Sequence, residues 1–549
     1  MKLHSYDIND KYSTSVAYFS MEFAIDQALK IYSGGLGFLA GSHMRSAYDL
    51  KQNVIGVGVL WSFGYYDQER HEDRSLQPRY TRKFYYFLEE LPNKIIVKIS
   101  GKDVVVKAFF LSPETFGTAP MIFLSTDTDE NDYLSRTITH KLYDGNQKTR
   151  IAQEIVLGIG GTKVLESIGQ KIDIYHMNEG HALPLVYELH NRFADMQELR
   201  NHVVFTTHTP EAAGNEVHDI NFLHEMGFFN GIDLKTVRTL TGYENDNSFS
   251  LTVGALRAAK RANAVSKIHG VVSNEMWANV ENKCEIISIT NAQNKKFWTD
   301  KTLIRALDEH EDYELMARKK HLKKILFDEV ADQTGKMFDP EVFTIVWARR
   351  FAEYKRPGLL KHDFERFLRL IENVDMPVQI IWAGKPYPTD FGAIAIFNEL
   401  IHIGQTYANI AVLVGYELSL SKLLKQGSDL WLNTPRITRE ASGTSGMTAS
   451  MNGSIHFSIN DGWHPEFAKD EKNAFTIPEV DYKLSNSEQD KIDNKNMMDI
   501  LETTILPIYY KNPNKWVKLM KNAMSDIEHE FDSARMVDSY YNLMFNYKV

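Results

Sequence analysis

The sequence predicts an α/β protein of at least two domains, each built around a largely parallel sheet. Three observations carry that prediction. The chain has 549 residues, more than one hydrophobic core ordinarily serves. Short runs rich in Val and Ile recur along it, and several are apolar throughout, as strands covered on both faces must be. Helical patterns fall between those runs, which argues for α/β units and against a sandwich.

In the first half the strand candidates are Val104–Leu111, Met121–Ser125, Ile172–Asn178, His202–His208 and Glu285–Thr290. In the second half they are Val342–Ala348, Val378–Ala383, Ile410–Gly415, Asp429–Leu432 and Ile455–Ser458. Helices are expected over Phe38–Leu50, Thr149–Ser167, Tyr313–Thr334 and Pro357–Asn373, and the last segment, Asn494–Val549, reads as mostly helical. The domain boundary is placed after Glu285–Thr290, giving domains 1–290 and 291–549. Open parallel sheets bind ligands beyond the carboxyl ends of their strands, so two such domains are expected to enclose a cleft.

Composition narrows the function. Net charge of −10 over 63.1 kDa leaves no electrostatic footprint for nucleic acid or an anionic membrane. No apolar run reaches the roughly 18–20 residues that span a bilayer, and the start, MKLHSYDINDKYSTS, lacks the apolar core of a secretory signal. The single cysteine, Cys284, excludes an internal disulfide and a cysteine-based metal site. It is expected to be a packed core residue, and a reducing cytoplasm is the simplest compartment. No His-Glu-x-x-His pattern occurs, so no metal is expected.

Several segments carry chemistry. Arg349 and Arg350 follow the strand Val342–Ala348 directly, with Lys355 close behind, and such a cluster converges well on phosphate oxygens. Glu440-Ala441-Ser442-Gly443-Thr444 combines a carboxylate for sugar hydroxyls with small residues whose amides suit phosphate. Ser33-Gly34-Gly35-Leu36-Gly37 precedes a helix and lets backbone approach an anion, though its spacing is not that of a dinucleotide fingerprint. Gly158–Lys163 sits inside a helical pattern with no strand before it, so close helix packing explains it. His181 and His208, near the ends of two strand candidates, are candidates for substrate contact.

These segments together resemble the α-glucan (glycogen/maltodextrin) phosphorylase family in its short bacterial form. The matching stretches run collinearly: AYFSMEF (17–23), YSGGLGFLAG (32–41), GVGVLWSFGYYDQ (56–68), HMNEGHALPL (176–185), THTPEAAGNE (207–216), SKIHGVVSNEMW (266–277), ITNAQNKKFW (289–298), ARRFAEYKR (348–356), WAGKPYP (382–388), QGSDLWLNTPR (426–436) and EASGTSGM (440–447). The resemblance implies the GT-B type: two Rossmann-like domains facing a central cleft, with the last helices, about 525–549, crossing back to the N-terminal domain. It implies roles as well. Gly35 and Leu36 match the glycine loop near donor phosphate and sugar, and His208 the histidine whose backbone carbonyl faces the sugar. Asn291 matches a sugar contact, as do Glu440, Ser442 and Gly443. Arg349, Arg350 and Lys355 match the phosphate cluster, and Gly443 and Thr444 backbone contacts to phosphate.

One departure alters the expected chemistry. Family members continue Gly-Met-Lys, and that lysine carries pyridoxal phosphate as a Schiff base; here the position is Thr448. A threonine hydroxyl cannot form the imine, so the cofactor is expected to be absent, or held without a covalent bond. The expected activity is a retaining glucosyltransferase acting on an α-glucan or oligosaccharide with a sugar-nucleotide donor. The alternatives are a phosphorylase releasing glucose 1-phosphate with non-covalent pyridoxal phosphate, and a silent glucan-binding homologue. The family also tends to form homodimers.

Overall fold

The computed structural model describes residues 1–193, 195–211, 214–243 and 246–548. The chain forms two compact units. One comprises 1–66, 80–294 and 533–549, and the other 67–79 and 295–532.

The first unit is organised on a sheet whose main strands are β1 (Val16–Phe19), β2 (Val54–Val59), β3 (Lys102–Leu111), β4 (Met121–Ser125), β5 (Ile174–Asn178), β6 (Val203–Thr206), β7 (Arg261–Ala264) and β8 (Glu285–Ser288). Their order is β8-β7-β6-β5-β1-β2-β4-β3. Every pair is parallel except β4 with β3. β1, β2, β4, β5 and β6 are buried at every position, which is why their sequences carry no polar alternation. The strand order reverses between β5 and β1, and a reversal opens a crevice at the carboxyl ends. The residues there are Glu22 after β1, Glu179 after β5 and His208 after β6.

The second unit holds a six-stranded parallel sheet: β9 (Phe343–Ala348), β10 (Val378–Ala383), β11 (Ile410–Leu413), β12 (Leu430–Asn433), β13 (Ile455–Ile459) and β14 (Ala474–Ile477). Its order, β11-β10-β9-β12-β13-β14, is the doubly wound Rossmann order 3-2-1-4-5-6, with its switch point between β9 and β12. Arg349 and Arg350 leave β9 at that point, and the segment leading to Glu440 leaves β12. Two parallel-sheet α/β units are the elements of the GT-B architecture that the sequence predicts.

Local details depart from the sequence reading. The helix expected over Pro357–Asn373 is a 3-10 turn, Leu359–Lys361, and a separate helix, Phe364–Ile371. Asp363 makes the break, because its carboxylate accepts from the Arg366 amide at 3.0 Å and starts a new helix there. Helix α1 (Gly35–Asp49) begins three residues earlier than expected, taking Gly35, Leu36 and Gly37 into its first turn. β6 ends at Thr206, so His208 belongs to the loop. Cys284 is half-buried and precedes β8, so it is not a core strand residue.

The division between units falls at Asn294/Lys295, placing Asn291 in the first unit. Hydrogen bonds explain this: Asn291 donates its amide to Val265 O at 3.0 Å, and Ser42 Oγ donates to Gln293 Oε1 at 2.7 Å. Residues 525–532 stay with the second unit and only Ser533 onward joins the first, where the Ser533 amide donates to Gln293 O at 3.0 Å. The π-helical turn Val156–Gly160 continues into the helix Gly161–Ser167. A Cβ on Gly158 would lie 2.6 Å from Leu185 N, and one on Gly161 2.7 Å from the Phe19 ring, so close packing is what these glycines serve. No helix among the described residues is long and apolar enough to cross a membrane.

Candidate active site

In the second unit, three sequence-predicted residues converge on one another. Glu440 is buried, and Arg349 Nη2 donates to its Oε2 at 2.6 Å. Lys355 Nζ donates to both carboxylate oxygens, at 2.8 and 2.6 Å. Burial alone would raise the Glu440 pKa; Arg349 and Lys355 overcome it and hold the group down at about 2. The Glu440 amide donates to Asp461 Oδ2 at 2.9 Å, and burial pushes the Asp461 carboxyl up to about 7.

The scaffold around the triad is rigid. Gly384 lies against Arg349, where any Cβ would come within 1.8 Å of Arg349 O, so only glycine lets β10 exit there. Arg356, at φ 50°, donates to Thr434 O and Pro435 O and pairs with Asp490 and Asp493. Thr434 Oγ1 in turn donates to the carbonyls of Lys355 and Arg356. Lys355 is thereby fixed by residues from the β12 exit. Arg350 behaves differently: it is exposed at the strand end, with a long 3.4 Å contact to the Tyr354 hydroxyl.

Ser442 O accepts from the Trp463 amide at 2.9 Å, while its buried Oγ has no hydrogen-bond partner among the described residues. Gly443, at φ 89°, turns the chain into helix α2 (Thr444–Ser450). Thr448 is buried in that helix and its hydroxyl donates to Ser445 O at 3.0 Å. Gly446 packs on His456, and an added Cβ would sit 2.5 Å from His456 Nε2. Gly446→Ala is therefore expected to lower stability by about 1–3 kcal/mol through overpacking; an unchanged denaturation midpoint would show that the α2–β13 contact yields freely.

The first unit holds a second cluster. Glu22 accepts from the Ser33 amide at 2.6 Å, the Gly34 amide at 3.1 Å and the Tyr143 hydroxyl at 2.7 Å. It thus pins the loop that opens α1 with Gly35 and Leu36. Arg150 stacks on the Tyr143 ring and donates to Glu216 at 2.7 Å, while His181 lies 3.8 Å from the same carboxylate. The His208 ring contacts Asn178 Oδ1 through Nε2 at 2.7 Å. Burial lowers the His208 pKa to about 3, so the imidazole is neutral. With Nε2 donating to Asn178, Nδ1 is the acceptor. Asn291 is buried, and its Oδ1 has no partner among the described residues. Ala212 and Ala213, within the 207–216 stretch, lie outside the described residues.

Arg349, Lys355 and Glu440 are therefore joined directly, with Ser442, Gly443 and Thr444 next in the chain, while Gly35, Leu36, His208 and Asn291 belong to the first unit. The sequence reading did not single out Glu22, Glu179, Asp461 or Arg356. A carboxylate one to three residues past an apolar strand was the available signal for the first three. Among the described residues no group of three or more His, Cys, Asp or Glu could hold a metal ion.

Comparison with known proteins fits this arrangement. A sequence model of the carbohydrate phosphorylase family matches residues 258–502. The chain is 48% identical over 531 residues to an uncharacterized protein of Methanocaldococcus jannaschii, covering 96% of this chain and 99% of that one. It is 30% identical to the maltodextrin phosphorylase of Thermococcus litoralis, over 98% of this chain and 71% of the relative. It is also 30% identical to the glycogen phosphorylase of Aquifex aeolicus, over 100% of this chain and 88% of the relative. Similarity that runs the length of the chain, together with two parallel-sheet units, places this protein in the carbohydrate phosphorylase family.

Proposed function

We propose that the chain is a retaining glucosyltransferase that extends or rearranges an α-glucan, taking glucose from a sugar-nucleotide donor without covalently bound pyridoxal phosphate. The observation that carries this reading is Thr448, buried at the position where the resemblance places the cofactor lysine, while Arg349, Arg350 and Lys355 are retained. The Arg349–Glu440–Lys355 triad consists of residues that match the family, so it supports phosphate and sugar binding without choosing between donors. The residues do not suit an imine-anchored cofactor, since Thr448 offers a hydroxyl that is turned back onto its own helix.

In this mechanism Arg350 and Lys355 hold the donor's sugar-proximal phosphate and stabilise the charge that grows on it as the glycosidic bond breaks. The departing phosphate oxygen takes the proton of the acceptor hydroxyl on the same face of the sugar, which retains configuration. Ser442, whose buried Oγ has no partner among the described residues, binds a sugar hydroxyl; for the first unit the resemblance implies a sugar contact at Asn291 and a His208 carbonyl that faces the charge developing on the sugar. Glu440 remains ionised throughout, which suits it to accept from a sugar hydroxyl and not to deliver a proton.

Purified protein is expected to show no pyridoxal absorbance and no stoichiometric phosphate after denaturation. Thermal-shift screening should then show stabilisation by a nucleoside diphosphate among UDP, ADP and GDP, above that by inorganic phosphate or glucose 1-phosphate. A stoichiometric pyridoxal signal with phosphorolysis of maltodextrin would overturn the donor assignment and favour a phosphorylase activity like that of the named relatives. Stabilisation by glucan alone would remove the transferase reading altogether.

A further inference from the structure

Glu179 stands at the carboxyl end of β5 with φ 72° and ψ 171°, a region that residues other than glycine rarely enter and that is tolerated chiefly where function requires it. Its backbone amide donates to Thr206 O at 2.9 Å, tying it to the end of β6. Its side chain then reaches over the loop that follows β6. Oε1 accepts from the His208 amide and, at 3.2 Å, from Thr209 Oγ1, while Oε2 lies 3.3 Å from the Gly180 amide. The preceding residue, Asn178, holds the His208 ring at 2.7 Å, and Asn178 Nδ2 donates to Ser20 Oγ at 3.1 Å. Two consecutive residues on one strand end therefore fix the ring and the main chain of His208 separately.

We propose that Glu179 is a positioning residue for the transfer reaction, whose carboxylate seizes the His208 amide and so aims the His208 carbonyl. The peptide that carries the His208 carbonyl lies between two groups held by the one carboxylate oxygen, the His208 amide and the Thr209 hydroxyl, and so cannot rotate freely. The strained backbone is what brings the carboxylate into reach: a relaxed conformation at 179 would carry the side chain away from the His208 amide. This assignment rests on the role given to His208 above, but its structural half can be tested without any activity.

Glu179→Gly relieves the backbone strain and deletes the clamp, so it is expected to fold with a Tm equal to or above that of the unaltered protein. Its kcat for glucosyl transfer should fall by about 10²-fold, the cost of misplacing a group by about 1 Å, with KM for the donor little changed. Glu179→Gln keeps an oxygen that accepts from the His208 amide and should recover most of the lost kcat. In protein carrying 15N-histidine, the His208 amide proton, assigned by its disappearance in His208→Gln, should resonate far downfield and move upfield in Glu179→Gly. A Glu179→Gly protein with full kcat, or a Glu179→Gln protein as slow as the glycine variant at unchanged Tm, would overturn the proposal. Should the unaltered protein transfer no glucose, the function proposed above fails instead, and the amide resonance alone decides whether Glu179 holds His208.

Discussion

Arg350→Ala is expected to lower kcat/KM for glucosyl transfer by about 10²–10³-fold, the usual loss when one donor to a developing oxyanion is removed, while leaving Tm unchanged. The separation of the two effects follows from exposure. Arg350 lies at the solvent-facing end of β9, and substitutions at such positions usually change stability by no more than about 0.5 kcal/mol. Its neighbour Arg349 offers the contrast. That side chain is buried and bonded to Glu440 at 2.6 Å, so Arg349→Ala should lose stability as well as activity. Steady-state kinetics and thermal melts on both variants check the prediction. Full activity in Arg350→Ala would take the exposed arginine out of the phosphate site and leave it to Arg349 and Lys355.

How far the sequence could foresee this depends on the range of the interaction concerned. β4 and β10 are legible residue for residue, because each is a short, mainly apolar run that begins directly after a proline, Pro120 or Pro377. β7, with the sequence Arg-Ala-Asn-Ala, was not read at all. It holds no β-branched residue and becomes a strand only through its parallel partners β6 and β8. β2 carries two glycines, which weaken a strand pattern, yet both are demanded by packing: an added Cβ would meet Met44 or Phe23 at about 3 Å. The site shows the same dependence. Residue types and their position after strands marked Arg349, Lys355 and Glu440 as a phosphate and sugar group. That the carboxylate is spent on the two cations is a contact across 85 to 91 residues, invisible to any local pattern. Glu22 and Glu179 stayed hidden for a related reason, since each acts on main-chain amides, and amides have no side-chain signature.

Glu440→Gln should be the most destabilising single change in the second unit's site, by about 3–5 kcal/mol, because it leaves two buried cations without their carboxylate. Arg349 and Lys355 are 6% and 7% exposed, too little for water to replace the lost charge. The variant should consequently become an anion binder. Inorganic phosphate or sulfate should raise its Tm in proportion to the logarithm of concentration, and far more than it raises that of the unaltered protein, whose cations are already paired. Acid adds an independent check. Glu440 is held at about 2 against an ordinary 4.5, so its contribution to stability is fully present above pH 4.5 and fades as pH falls toward 2. The unaltered protein should lose stability steeply through that window, and Glu440→Gln, having no carboxylate there to protonate, should lose less. If the variant melts normally and ignores anions, the triad is not what holds the β9 and β12 exits together.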